Sequence, residues 1–266
     1  MSSTFAEATA VRRVEATGDR FAAEVASGWD IGGNANGGYL LAIAGRAMSE
    51  AIGRPPLSLT AHYLRPAPAG PCEIAVDVVR AGRRLATATA QLTMNGAVVL
   101  QLVGTFGEQR PGGLEWHREP PTDLPDYADC VERGPGPDGV GTAFHGRLAT
   151  RVRPGDDGYN RGEPTGDPEV RGWFALAAEE PIDVIALLLA ADSFPPPIFN
   201  LGPAPGWVPT VELTVHIRGI PAPGPLRCAF RSRFVDDGLV DEEGEIWDGT
   251  GALVAQSRQL ALVPRG

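Results

Sequence analysis

The chain repeats part of its own sequence, and this repeat constrains its fold more than any other feature. Residues 59–63 read Leu-Thr-Ala-His-Tyr, and residues 213–217 read Leu-Thr-Val-His-Ile at an offset of 154 positions. A proline-rich turn follows each segment. A second pair, Gly-Ala-Val-Val at 96–99 and Gly-Ala-Leu-Val at 251–254, follows in the same order. Two matched blocks in one order indicate a duplicated unit.

The pattern of apolar residues is similar in both halves. The first half predicts a hairpin, one apolar helix and four strands, in that order, over residues 11–15, 21–25, 39–52, 57–64, 73–79, 85–93 and 98–106. The second half predicts the same order over residues 145–153, 170–176, 181–191, 208–217, 226–234, 245–247 and 253–262. An apolar helix that precedes an antiparallel sheet is best buried when the sheet wraps around it. We therefore predict an α+β double hotdog, in which two antiparallel sheets are each wrapped on a central helix.

The segment between the halves is rich in proline, glycine and charge, which is typical of a linker. We predict an N-terminal hotdog at residues 1–106, a linker at 107–141 and a C-terminal hotdog at 142–266. Two hotdogs in one chain can form internally the pair that single hotdogs form by dimerising. Exposed sheet edges allow further pairing, so we expect a homodimer of double hotdogs.

Composition excludes several functions. The net charge of −10 argues against generic nucleic-acid binding, and the absence of lysine excludes a Walker A motif. No G-x-S-x-G segment occurs, and the three cysteines and four histidines are too scattered to predict a metal site. The first residues lack the apolar segment of a signal peptide, and the longest apolar run, 184–191, is too short to span a bilayer. We therefore expect a cytoplasmic protein without a membrane span.

Short segments of both halves carry a family pattern. In the first half they are Trp29-Asp30, Asn-Gly-Gly-Tyr-Leu at 36–40, Leu-Arg-Pro at 64–66 and Gly-Arg-Arg at 82–84. In the second half they are Asp-Ser-Phe-Pro-Pro at 192–196, Pro-Thr-Val-Glu-Leu-Thr at 209–214 and Val-Ala-Gln-Ser-Arg-Gln at 254–259. Together these segments resemble the thioesterase II-type acyl-CoA thioesterases, which are double-hotdog proteins. The resemblance covers nearly the whole chain outside the linker and implies hydrolysis of an acyl-CoA to the free acid and coenzyme A.

The resemblance also implies a set of catalytic residues. In that family, an aspartate near the helix end, a hydroxyl on the next strand and a glutamine on the last strand hold the attacking water. These positions match Asp192, Thr210 and Gln259, with Gln256 as a rival for the last one. Alternation along a strand places Gln256 and Gln259 on opposite faces, so only one of them can reach a common site.

The same alternation places Thr210 on one polar face with Glu212, unless a bulge intervenes. The repeat equivalents of Thr210 and Gln259 in the first half are Pro56 and Gly104, which offer neither a hydroxyl nor an amide. We therefore predict one active site per chain, with a degenerate first half that mainly shapes the acyl pocket.

Without lysine, an anionic substrate must be bound by arginine and by helix-end N–H groups. Asn36, Gly37 and Gly38 open the first helix, and their N–H groups can hold a carbonyl oxygen or a phosphate. Arg65 and Arg83 are candidate partners for the phosphates of coenzyme A. Coenzyme A would be part of the substrate, and we expect no separate cofactor.

Two alternatives use the same fold. A non-hydrolytic accessory protein would bind acyl-CoA or lipid tightly without turnover. A hotdog enzyme of another pathway would act on an intermediate bound to a carrier protein. The D-x-x-x-x-H signature of hotdog hydratases is absent, because none of the four histidines has an aspartate five positions before it.

Overall fold

Antiparallel strands form most of the computed structural model, which describes residues 4–14, 18–109, 114, 116–117, 120–134, 142–202 and 206–263. The helices are α1 (Phe5–Ala8), α2 (Gly37–Ile52), α3 (Thr142–His145) and α4 (Ala186–Ala190). The strands of the first half are β1 (Arg12–Arg13), β2 (Arg20–Val25), β3 (Asp30–Ile31), β4 (Asn34–Ala35), β5 (Pro56–Tyr63), β6 (Gly70–Ala81), β7 (Ala86–Met94) and β8 (Ala97–Phe106). Those that follow are β9 (Val131–Glu132), β10 (Arg151–Val152), β11 (Glu169–Phe174), β12 (Thr210–Ile217), β13 (Leu226–Arg231), β14 (Val235–Asp236), β15 (Leu239–Trp247) and β16 (Leu253–Leu262).

The helix predicted in the first half is confirmed as α2. Asn36 Oδ1 accepts a hydrogen bond from the N–H of Tyr39 at 2.9 Å and so caps the helix start. Gly53, at a left-handed φ of 72°, ends it. Almost every side chain between 38 and 48 is buried, because a helix that is apolar on all sides must be covered on all sides. Among the described residues, no helix is long and apolar enough to cross a membrane.

The strands join into one continuous antiparallel sheet, whereas we expected two separate sheets. The order is β1-β2-β6-β7-β8-β5-β12-β16-β15-β13-β11-β10-β9, with β14 paired to β15, while β3 and β4 pair separately. The halves join where β5 pairs with β12, because each half would otherwise leave a bare strand edge there. These two strands contain the two copies of the repeated segment, at 59–63 and 213–217. Thr60 pairs with its own repeat equivalent, Thr214, and their hydroxyl oxygens are 2.9 Å apart, so a pseudo-twofold axis passes between them.

The helix of the second half is shorter than the predicted 181–191. Only α4 is regular helix in this segment. Asp183 Oδ1 caps its start by accepting hydrogen bonds from the N–H groups of Ile185 and Ala186. The prolines at 195–197 prevent the chain from continuing as helix. Every residue of α4 is buried, and it packs across α2. Asp192 therefore lies directly beyond a short buried helix.

Two further segments differ from expectation. The strand predicted at 145–153 is reduced to β10, preceded by the helical turn α3, while the strand predicted at 245–247 is the end of the longer β15. Part of the predicted linker belongs to the second half, because β9 pairs with β10 at the sheet edge. Residues 135–141 of that linker lie outside the described residues, and the predicted domain boundaries stay a prediction.

Close packing of α2 on α4 depends on glycine at position 38. A Cβ added to Gly38 would lie 2.7 Å from the main-chain oxygen of Leu188, so Gly38→Ala should lower the free energy of unfolding by about 1–3 kcal/mol. Gly45→Ala is the matched control on the same helix, since its Cβ would meet only side-chain tips, at 2.9 Å from Leu188 and Leu59. Those tips can rotate, and alanine favours helix by about 1 kcal/mol, so Gly45→Ala should be nearly neutral. Urea denaturation measures both variants, and equal losses would contradict the prediction.

Candidate active site

Asp192 lies at the point where the end of α4 meets the first turn of α2. Its Oδ2 accepts hydrogen bonds from the N–H of Gly38 at 2.8 Å and from Asn36 Nδ2 at 3.1 Å. Asn36 Nδ2 also donates to the main-chain oxygen of Asp192 at 2.7 Å. A Cβ at Gly37 would lie 2.8 Å from the same Oδ2, so glycine there leaves room for the carboxylate. Two of the donors predicted to bind substrate, Asn36 and Gly38, thus hold a carboxylate of the other half.

The surroundings of Asp192 shift the pKa of its carboxyl group. Burial raises its pKa, and the hydrogen bonds from Gly38, Gly37 and Asn36 and the charge of Arg133 offset part of that rise. The net result is a pKa raised to about 6. The carboxylate is therefore mostly ionised at neutral pH, yet basic enough to accept a proton from water. The positive end of α2 also favours the ionised form.

Arg133 is a site residue that sequence reasoning missed. It follows β9, within the predicted linker, and its guanidinium donates to the main-chain oxygen of Ser193, directly after Asp192. Burial lowers the pKa of Arg133 itself. Its charge also acts on His145. The pKa of His145 is lowered to about 4, mainly by burial and further by the charge of Arg133. No motif marks Arg133, because the fold alone brings it across 60 positions of sequence.

A β-bulge places Thr210 on the buried face of the sheet. Thr210 pairs with Ala261 and Leu213 pairs with Gln259, so β12 carries one extra residue between Thr210 and Glu212. Since Ala261 and Gln259 are two apart and share a face, Thr210 shares that face with Leu213. The expected common face of Thr210 and Glu212 is therefore wrong, and the bulge is the reason.

The two rival glutamines point to opposite sides of β16. Gln259 lies opposite Leu213 and Glu242, is only 7% exposed, and its Oε1 has no hydrogen-bond partner. Gln256 accepts a hydrogen bond from Arg218 Nε at 3.0 Å on the other face. Gln259, and not Gln256, therefore faces the interior of the second half.

Among the described residues, no hydrogen bond joins Asp192 to Thr210 or Gln259. Glu242 is the cross-strand neighbour of Gln259. The pKa of Glu242 is raised mainly by burial and further by the charge of Asp192, so these two carboxyl groups lie near each other. The buried face that carries Thr210 and Gln259 is thus within electrostatic reach of Asp192.

The structure separates the two arginines predicted to bind phosphate. Tyr63, a second residue that sequence reasoning missed, donates from its hydroxyl to the main-chain oxygen of Gly37 at 2.9 Å, and Arg65 follows it two positions later. Arg65 thus lies at the Asp192 end of α2. Arg83 lies at the C-terminal end of α2. Arg54, which comes just after that helix, donates a hydrogen bond at 2.9 Å to the main-chain oxygen of Gly82, the residue before Arg83. A helix of 16 residues spans about 24 Å, so Arg83 is not part of the site at Asp192.

Within the described ranges, no group of three or more His, Cys, Asp or Glu side chains is arranged to hold a metal ion. The chemistry available at this place is that of carboxyl, hydroxyl, amide and guanidinium groups.

Comparison with known proteins shows one consistent family. The family model of an acyl-CoA thioesterase N-terminal domain matches residues 25–107, and that of the C-terminal domain matches residues 121–263. A crystal structure assigned as a thioesterase II from Thermobifida fusca is 34% identical, covers 98% of this chain and 97% of its own, and gives a TM-score of 0.89. A hotdog-fold protein of unknown function from Alicyclobacillus acidocaldarius is 23% identical over the full length of both chains, with a TM-score of 0.87. An uncharacterised protein of Mycobacterium tuberculosis is 28% identical across 99% of both chains.

The hydrogen bond from Asn36 to Asp192 can be tested separately from the helix cap. Asn36→Asp keeps an oxygen for the N–H of Tyr39 but replaces the donor that faces Asp192 with a negative charge. The pKa of Asp192 should therefore rise above about 6, and the two carboxyls should titrate as a coupled pair. Carbon-13 NMR of labelled aspartate carboxyls measures this shift.

Gln91→Glu is the matched control, because it adds the same charge on the exposed face of the sheet, where Gln91 contacts Gln101. It should leave the titration of Asp192 unchanged. An Asn36→Asp variant with an unshifted Asp192 would contradict the assigned hydrogen bond.

Proposed function

Because this chain belongs to the acyl-CoA thioesterase family and is a thioester hydrolase, we propose that it converts an acyl-CoA to the free acid and coenzyme A with a water held by Asp192, Thr210 and Gln259. The observation that carries the proposal is the Asp192 carboxylate. It is half-buried, its pKa is raised to about 6, and it is held against the first turn of α2 by donors of the other half. A general base needs this combination of fixed position and near-neutral pKa.

In the proposed reaction, Asp192 accepts a proton from water while the water oxygen attacks the thioester carbonyl carbon. The tetrahedral intermediate then collapses, the carbon–sulfur bond breaks, and the protonated Asp192 returns the proton to the leaving sulfur. One water and one thioester thus give one carboxylic acid and one thiol, with no co-reactant. The hydroxyl of Thr210 and the amide of Gln259 orient the water, and the positive end of α2 stabilises the negative charge that develops on the carbonyl oxygen.

Both halves contribute to this proposed site, although the catalytic groups belong to the second. Asn36 and Gly38 hold the base, so the first half does more than shape an acyl pocket. Arg65, exposed at the same end of α2, would contact the phosphates of coenzyme A. The proposal includes two hotdogs, of which the second also contains β9, and it includes a homodimer of double hotdogs and a cytoplasmic location.

Replacement of the base should abolish hydrolysis without harming the fold. Asp192→Asn should lower kcat/KM for acyl-CoA by about 10²–10⁴-fold. In the wild type, kcat/KM should fall with decreasing pH around a midpoint of about 6, as Asp192 gains its proton. Because the folded-state pKa is raised, the stability contribution of Asp192 is complete below its ordinary pKa and is lost as pH rises through about 6. The asparagine variant should therefore be at least as stable as the wild type at pH 8.

A panel of acyl-CoA and acyl-carrier-protein thioesters, assayed by thiol release, measures these effects. Wild-type activity on the carrier thioesters alone would favour the carrier-bound intermediate as substrate. Tight binding without turnover by the wild type would favour the accessory protein, and equal turnover by Asp192→Asn would contradict the role of the base.

The two glutamines of β16 form a matched pair of variants. Gln259→Met keeps the length of the side chain but removes its amide, and should lower kcat by about 10²-fold. Gln256→Met removes the same group from the opposite face and should change kcat less than twofold. Equal losses in both variants would contradict the proposed role of Gln259. Thermal melting checks that both are folded.

A further inference from the structure

A second carboxyl group, Glu242, lies on the buried side of the sheet beside Gln259. The two residues are direct cross-strand partners on β15 and β16, so their Cβ atoms are within about 4.5–5.5 Å and their side chains can meet. In the described part of the chain, the side chain of Glu242 makes neither a hydrogen bond nor an ion pair. Its neighbour Glu243 faces the other way and pairs with Arg231 and Arg233.

The charges that act on Glu242 are negative. Asp192 reaches it from the end of α4, and Asp241 precedes it on its own strand. Its cross-strand partner Gln259 carries no charge, and neither does Leu213, which pairs with Gln259 on the next strand. The cation Arg133 is bound to the main chain at Ser193. Burial first, and then these two carboxylates, raise the pKa of Glu242 well above its ordinary value. These surroundings favour the protonated form of Glu242.

The side-chain oxygen of Gln259 requires a donor. Gln259 Oε1 is buried without a hydrogen-bond partner, and a buried acceptor without a donor costs about 1–3 kcal/mol. A protonated carboxyl supplies the O–H group that such an oxygen accepts. An ionised carboxylate has only acceptors, so it would attract Nε2 of Gln259 instead and would turn the amide around.

We propose that Glu242 is a positioning residue of the hydrolase, which in its protonated form donates a hydrogen bond to Gln259 Oε1 and thereby directs Gln259 Nε2 toward the water on Asp192. The inference rests on the proposed function, because it concerns the water-holding role of Gln259. The active state then has Asp192 ionised and Glu242 protonated. The pH profile of kcat/KM is bell-shaped, with Asp192 on the acid side and Glu242 on the alkaline side.

Three variants test this arrangement by their pH profiles. Glu242→Gln keeps a donor at every pH, so the alkaline fall in kcat/KM should disappear while kcat near the optimum stays within about threefold of the wild type. Glu242→Leu has no donor, so kcat should fall by at least tenfold across the profile with KM nearly unchanged. Glu243→Gln is the matched control on the other face and should keep the wild-type profile. Equal losses in the Gln and Leu variants, or an alkaline fall that persists in Glu242→Gln, would overturn the proposal.

A second measurement decides the hydrogen bond without using activity. NMR of the wild type, with carbon-13 in the glutamate carboxyls and nitrogen-15 in the side-chain amides, should show one glutamate that titrates above neutral pH and is missing in Glu242→Gln. The side-chain amide signal of Gln259 should shift at the same midpoint. A Glu242 that titrates without moving the Gln259 signal, or that is ionised at neutral pH, would overturn the inference. If the wild type hydrolyses no thioester, the proposed function fails, and this titration still decides whether Glu242 holds Gln259.

Discussion

The contact between the Asp192 carboxylate and the first turn of α2 is the interaction on which the rest of the site depends. Asn36 serves both partners, since its oxygen caps the helix while its nitrogen holds Asp192. Gly37 and Gly38 are required because a Cβ at either position would come within 3 Å of atoms of the α4 segment. The two halves of the chain thus meet through a half-buried carboxylate, and the same contact fixes both the helix packing and the place of the proposed base.

Two opposing effects act on the Asp192 carboxyl group, and their balance sets its pKa. Removal from water raises its pKa, whereas the N–H groups of α2 and the guanidinium of Arg133 favour the charged form. Desolvation favours the protonated form, which cannot act as a base. With the full set of donors in open solvent, it would be too weak a base to take a proton from water. A chain with a net charge of −10 and no lysine therefore uses the half-buried Arg133 and a helix end where local positive potential is needed.

Sequence patterns predicted what depends on local or repeated order. The apolar run at 39–52 and its flanking Asn36 and Gly53 identify α2, because caps and periodicity are encoded within one segment. The strands of the repeat follow from alternation, and so does the opposite orientation of Gln256 and Gln259. The bulge before Glu212 is not visible in the alternation, because one inserted residue changes the face of Thr210 without changing composition. Arg133 and Glu242 were missed for another reason, since both gain their role from partners brought near by the fold alone.

A pseudo-twofold axis through Thr60 and Thr214 relates the two halves, yet the starts of α2 and α4 differ in the carboxylate that each one holds. At the start of α2, the donors of the helix meet a carboxylate from the opposite half. At the start of α4, the corresponding donors are closed by Asp183 of the same segment, whose second oxygen faces Arg46 of α2 at 3.7 Å. That carboxylate is half-exposed and serves as the cap of its own helix. Of the two helix starts, that of α4 is capped by an acidic residue of its own segment, whereas that of α2 takes the carboxylate of the proposed base from across the interface.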